Sequence, residues 1–131
     1  SVVIEHRIEV DESDVPAALK LDMFRIVQEA LSNVIAHAQA GHALVSLLKA
    51  GDELRLMVED DGVGFDPAHL VDRGPDALNL GLHSIRKRVD ATGGRLIVES
   101  GGARGTRIGA VWRLAGAPVV AALPAQAALP A

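Results

Sequence analysis

The chain has 131 residues, enough for one domain with a single core. A formal charge of −4 and a pI near 5.7 give no electrostatic case for nucleic acid or an anionic membrane surface. Hydrophobic residues make up 49% and aromatic residues 2%, so the core is aliphatic, and the absence of cysteine excludes disulfide, thiol and Cys-zinc chemistry. No signal peptide is visible, and no apolar run is long enough to cross a bilayer. The missing initiator Met suggests a fragment of a longer protein.

Val2, Ile4, His6, Ile8 and Val10 alternate with polar neighbours, which predicts an opening strand. Asp14 is the expected N-cap of a long helix, with Pro16 in its first turn. That helix is expected to run to about Gln39 and to be ended by Gly41. Its apolar positions Leu19, Met23, Ile26, Val27, Ala30, Leu31, Val34 and Ala38 repeat at helical spacing. A second stripe, Arg25, Glu29, Asn33 and His37, has one residue every four and so projects along one line.

His42 to Ala50 and Glu53 to Asp60 read as two strands joined by a hairpin turn at Gly51. In the second, Leu54, Leu56 and Val58 form the apolar face, and Asp60 is the next position on it. A long loop without period follows from Asp66 to about Asn79, long enough to act as a lid. Gly81 is expected to open a second helix, roughly Leu82 to Thr92, stopped by Gly93-Gly94. Arg95 to Ser100 and Thr106 to Leu114 read as a closing pair of strands around a glycine turn. The tail, 115–131, is an uncharged Ala/Pro/Val segment and is expected to be disordered. This order implies an α/β fold: a two-layer sandwich in which a mixed, mostly antiparallel sheet carries the helices on one face.

Asp60 places a carboxylate where the strand wants to be buried, which is costly unless a polar group meets it. Gly62 and Gly64 follow, where a backbone can approach a flat ligand closely. Thr106 points by parity to the same face, so an acid and a hydroxyl could read an amino group and a ring nitrogen, as adenine offers. The competing reading of Asp60 is a strand-end cap of the following turn. Glu29 and Asn33 supply hard oxygen ligands one turn apart, suited to magnesium, and His37 could donate to a phosphate. The plainer alternative is a solvated face whose Arg25–Glu29 pair is worth about 0.3–0.5 kcal/mol. Gly81, at an expected helix start, is a phosphate candidate, while Arg86, Lys87 and Arg88 should be solvated surface. Neither a nucleophile with a His/Asp context nor a zinc spacing is present.

Together these residues resemble the ATP-binding catalytic domain of sensor histidine kinases, within the GHKL ATPase superfamily. The resemblance is carried by the N box Arg25-Ile26-Val27-Gln28-Glu29-Ala30-Leu31-Ser32-Asn33, continuing to His37-Ala38, and by the G1 box Asp60-Asp61-Gly62-Val63-Gly64-Phe65. Leu80-Gly81-Leu82 matches the G2 region, and Gly93-Gly94-Arg95-Leu96-Ile97-Val98-Glu99-Ser100 with Gly105-Thr106 matches the closing signature. It covers about Val2 to Leu114, so 1–114 is expected to be the catalytic domain. Two departures stand out: Asn79 replaces the first G2 glycine, and Ala36 replaces a basic residue before His37.

The resemblance implies ATP and Mg2+ as cofactors, with Asn33 binding the metal, Glu29 beside it as a catalytic carboxylate, and His37 facing the phosphates. Asp60 would accept from the adenine amino group, with Thr106 supporting through a water. Gly62, Gly64, Gly81 and Leu82 would line the nucleotide, and 66–80 would form the lid. It further implies γ-phosphoryl transfer to a histidine on a separate phosphoacceptor and dimerisation domain of the same protein, and indirectly a response regulator. The acceptor helix is not among these residues, so the fragment should not autophosphorylate alone. A cytoplasmic location follows, with no nucleic acid or membrane contact by this domain and a parent protein that can be membrane-anchored. The alternatives are another GHKL ATPase, an anti-sigma-factor type serine kinase, or a non-catalytic nucleotide-binding interaction module.

Overall fold

The computed structural model describes residues 2–63, 77–100 and 105–114. Five strands form one sheet in the order β1-β2-β3-β5-β4. They are β1 (Val3–Glu9), β2 (His42–Ala50), β3 (Glu53–Asp60), β4 (Arg95–Ser100) and β5 (Thr106–Arg113). β1 runs parallel to β2, and the other neighbours are antiparallel. A parallel pair cannot be closed by a tight turn, so a helix must bridge it. That helix is α1 (Ala17–Asn33), and the second helix, α2 (Ala77–Ala91), leads into the β4–β5 hairpin. The mixed, mostly antiparallel two-layer sandwich is therefore as the alternation and turns predict.

Both helices lie on one side of the sheet. Leu19, Met23, Ile26 and Ala30 of α1 and Leu82, Ile85 and Val89 of α2 meet Leu54, Leu56, Val58, Ile108, Ala110 and Trp112 of the two central strands. Ile26, Leu54, Ile85 and Val89 are fully buried. The even positions of β3 and β5 thus line the core, and that parity carries on to Asp60 and Thr106. At the far end of the helix layer, Trp112 donates its indole N–H to Thr92 Oγ1 at 2.8 Å, and Thr92 donates onward to the Arg88 carbonyl at 2.8 Å. Trp112, the only aromatic of the core among the described residues, is thereby tied to the last turn of α2.

Three expectations are corrected. Asp14 does not cap α1: Asp11 accepts from the Ser13 N–H and starts a separate 3-10 turn, Glu12–Asp14. Val15, preceding a proline, is held extended, and Pro16 takes the N-cap position without a side-chain bond. Nor does α-geometry continue to Gln39. A π turn, Val34–Ala38, follows Asn33 directly, and Gln39 in the left-handed region at φ 54° ends it, not Gly41. Finally, α2 starts at Ala77, so Gly81 sits one turn inside the helix. Its N–H belongs to the helical ladder and is not one of the free amides of a helix start. The expected lid overlaps this helix at 77–80, and the rest of it, like Gly64 and the tail 115–131, lies outside the described residues.

Candidate nucleotide site

Two groups of expected site residues are assembled. The first lies at the junction of β3 and β5, where Asp60 and Thr106 are register partners. Asp60 Oδ1 accepts from the Gly62 N–H at 2.8 Å, which folds the chain into the turn just after the strand. Burial pushes the Asp60 carboxyl above its ordinary range; the Gly62 and Thr106 amides pull it back, and the neighbouring Asp61 charge adds to the rise. Asp60 is thus both the turn cap and the inward acid.

Gly105 explains why a glycine must precede Thr106. It has φ +74°, and a Cβ there would run into the Asp60 backbone oxygen and lie 3.0 Å from Asp60 Oδ1. Thr106 is 5% exposed, and its Oγ1 lies 3.0 Å from Ser100 Oγ. Ser100 also donates to the Gly105 carbonyl at 3.3 Å. In the sequence Ser100 enters only as the end of a strand and part of the closing signature, with no role at the site. Its strand parity, shared with Leu96 and Val98, is the signal that places it beside Thr106.

The second group joins the two helices. Asn33 is 6% exposed at the end of α1, and its Nδ2 has no hydrogen-bond partner among the described residues. A buried amide without a partner is costly, so the position calls for an outside acceptor. Glu29 lies one turn earlier, half-buried. Gly81 of α2 faces both: a Cβ on it would lie 2.9 Å from Asn33 Oδ1 and 3.0 Å from Glu29 Oε2. The glycine is needed for close approach of the helices, which is a different role from the expected helix start. An amide and a carboxylate in one partly enclosed place fit a hard cation that keeps several waters.

Other expected residues are placed differently. Leu82 packs into the core cluster. Arg25 donates to Gln28 at 3.1 Å and lies over the Phe24 ring, not towards Glu29. The π turn displaces the backbone at His37 from the α-helical line of Glu29 and Asn33. Arg86 and Lys87 are exposed, and Arg88 reaches Asp22 of α1 at 3.3 Å.

Asp61 turns away from Asp60 and fastens the start of β2. Its Oδ1 accepts from the Gly41 and His42 N–H groups, both at 2.9 Å, and its Oδ2 lies 3.1 Å from His42 Nδ1. These partners, the His42 amide first, hold its carboxyl below the ordinary range. The G1 turn is thereby clasped to the strand that follows the π turn.

The fold and these motifs define a nucleotide-binding ATPase domain. The profile of the histidine kinase-, DNA gyrase B-, and HSP90-like ATPases matches residues 18–116. The chain belongs to that family. It is 38% identical over 86 residues to the sensor histidine kinase ComP of Bacillus subtilis, covering 66% of this chain and 11% of ComP. It is 35% identical over 100 residues to the sensor histidine kinase LiaS of the same organism, covering 76% of this chain and 26% of LiaS. Among solved structures, the histidine kinase domain of the Erythrobacter litoralis blue-light activated histidine kinase superposes with a TM-score of 0.65 at 28% identity, over 86% of this chain and 52% of that one. The mycobacterial sensor histidine kinase MprB shares the fold at a TM-score of 0.63 and 23% identity, covering 86% of this chain and 82% of that one. The chain thus spans about a tenth to a quarter of the length of these curated relatives. Among the described residues, no helix is long and apolar enough to cross a membrane.

Proposed function

We propose that residues 1–114 bind Mg-ATP and serve as the catalytic domain of a sensor histidine kinase. The observation that carries this reading is the pairing of Asp60 with Thr106 on the helix-facing side of the sheet. Asp60 accepts from the adenine amino group, and Thr106 supports the ring edge through a water. Gly62 and Gly64 form the wall beside the base. Asn33 and Glu29 hold Mg2+, with Gly81 keeping the space above them open. The metal neutralises charge on the phosphates when bound, and His37 and the 66–80 segment complete the phosphate side. The γ-phosphoryl group passes in line to an imidazole nitrogen of a phosphoacceptor domain, and ADP leaves. Such transfers depend on positioning and charge neutralisation, which this set of residues can supply. A response regulator is the expected onward acceptor.

Isothermal titration of the chain with Mg-ATP tests the binding. Asp60→Asn should lose most of the affinity while the circular dichroism spectrum is kept; full affinity in that variant would take Asp60 out of the pocket. Asn33→Ala should lose phosphoryl transfer to a supplied acceptor domain, and retained transfer would place the metal elsewhere.

A further inference from the structure

We propose that Ser100 is a positioning residue that fixes the proton of the Thr106 hydroxyl and so sets the choice of base. This deepens the nucleotide reading above and rests on it. Ser100, Thr106 and Asp60 form one row across β4, β5 and β3. A hydroxyl has one proton and two lone pairs. Ser100 commits its proton to the Gly105 carbonyl at 3.3 Å. Either hydroxyl could donate across the 3.0 Å contact between them, and we assign that proton to Thr106 because the Ser100 proton is engaged at the Gly105 carbonyl. Thr106 is left with lone pairs on its remaining side. At 5% exposure, it has little bulk water with which to rearrange.

With Asp60 ionised, the slot therefore presents acceptors only, its carboxylate and the Thr106 oxygen. Adenine carries an amino donor at position 6 and suits such a slot, directly or through a bridging water. Hypoxanthine and guanine carry a carbonyl there, which meets the carboxylate as acceptor against acceptor. Unmatched polar groups of this kind discriminate strongly, because neither side regains its lost hydration. With the Ser100 hydroxyl removed, Thr106 can turn its proton into the slot and donate to a carbonyl. Selectivity should fall although neither Ser100 atom need touch the base.

The test compares dissociation constants for Mg-ATP and Mg-ITP in the full chain, wild type against Ser100→Ala and Ser100→Thr. The wild type should favour ATP. Ser100→Ala should shrink the ATP-to-ITP ratio about fivefold or more, the factor an ordinary hydrogen bond is worth. Ser100→Thr keeps the hydroxyl and should keep the ratio. In a Thr106→Val background, Ser100→Ala should no longer change it. Equal weakening of both nucleotides, or an unchanged ratio in Ser100→Ala, overturns the inference and reduces Ser100 to a strand-end packing role. A wild type that binds no ATP removes the nucleotide reading as well. Selectivity that survives in Ser100→Ala removes this inference alone.

Discussion

Gly81 stands against Asn33, so closely that a Cβ would lie 2.9 Å from the Asn33 carboxamide oxygen and 3.0 Å from a Glu29 oxygen. Alanine suits a helix interior better than glycine by about 0.5–1 kcal/mol. Gly81→Ala should therefore melt no earlier than the wild type. The two oxygens, however, must move. Transfer of phosphate from ATP to an acceptor domain should drop by about tenfold to a hundredfold, the scale of a misplacement near 1 Å. Full transfer in a folded Gly81→Ala would show that the helices can part without disturbing the site.

Burial sets the pH response of Asp60. Its carboxyl sits above the ordinary value in the folded chain, so the native state keeps the proton to higher pH than the unfolded chain does. Its contribution to stability is complete below the unfolded value and is lost as pH rises through the folded one. In urea unfolding between about pH 3 and pH 7, ligand-free wild type should lose stability relative to Asp60→Asn as pH rises. A difference that stays flat would mean that the carboxyl is not desolvated.

Asp61 behaves in the opposite sense. Its carboxyl is held low by the His42 and Gly41 amides and the His42 ring, so its contribution is present above the ordinary value and disappears as pH falls through the folded one. The Gly41 and His42 amide resonances should titrate together, with a midpoint below about 3.9. Asp61→Ala should abolish that titration and speed exchange of both amides. Asp61→Asn, which keeps an acceptor oxygen, should protect them nearly as well as the wild type. Unaltered exchange in the alanine variant would dismiss the clasp.

Trp112 and Thr92 give a stability prediction remote from the nucleotide. Thr92→Val removes the acceptor 2.8 Å from the indole N–H inside the helix layer. Leaving that donor unpaired should cost about 1–3 kcal/mol, read as a lower unfolding midpoint in urea. Thr92→Ser should recover most of it, and an unchanged midpoint in Thr92→Val would mean that the indole finds another acceptor.

Much of this was legible in the residues because two physical signals are strong here. Period-two alternation in β3 and β5 fixes which side chains face the helices, and the antiparallel pairing of the two strands sets Asp60 against Thr106. Asp60 and Thr106 follow from counting along those strands. The helix ends were less legible. Val34–Ala38 carries no residue type that marks a π turn, so helical periodicity reads straight through it. Asp11 and Asp14 are equally good caps by type, and only the extended Val15 decides between them. Gly81 looks like a helix start because glycine punctuates chains, whereas here it answers to a neighbour 48 positions away, Asn33. Ser100 and Asp61 act through partners on other strands, which a linear pattern does not display.

The sheet order also distributes mechanical load unevenly. Among the described residues, β1 is an edge strand whose residues are all exposed and which pairs only with β2. A pull on Val3 would be resisted by that single ladder, and β1 could peel away while the β3–β5 seam under Asp60 stayed zipped. Slack or tension entering the domain by this strand is thus insulated from the seam by the whole width of β2.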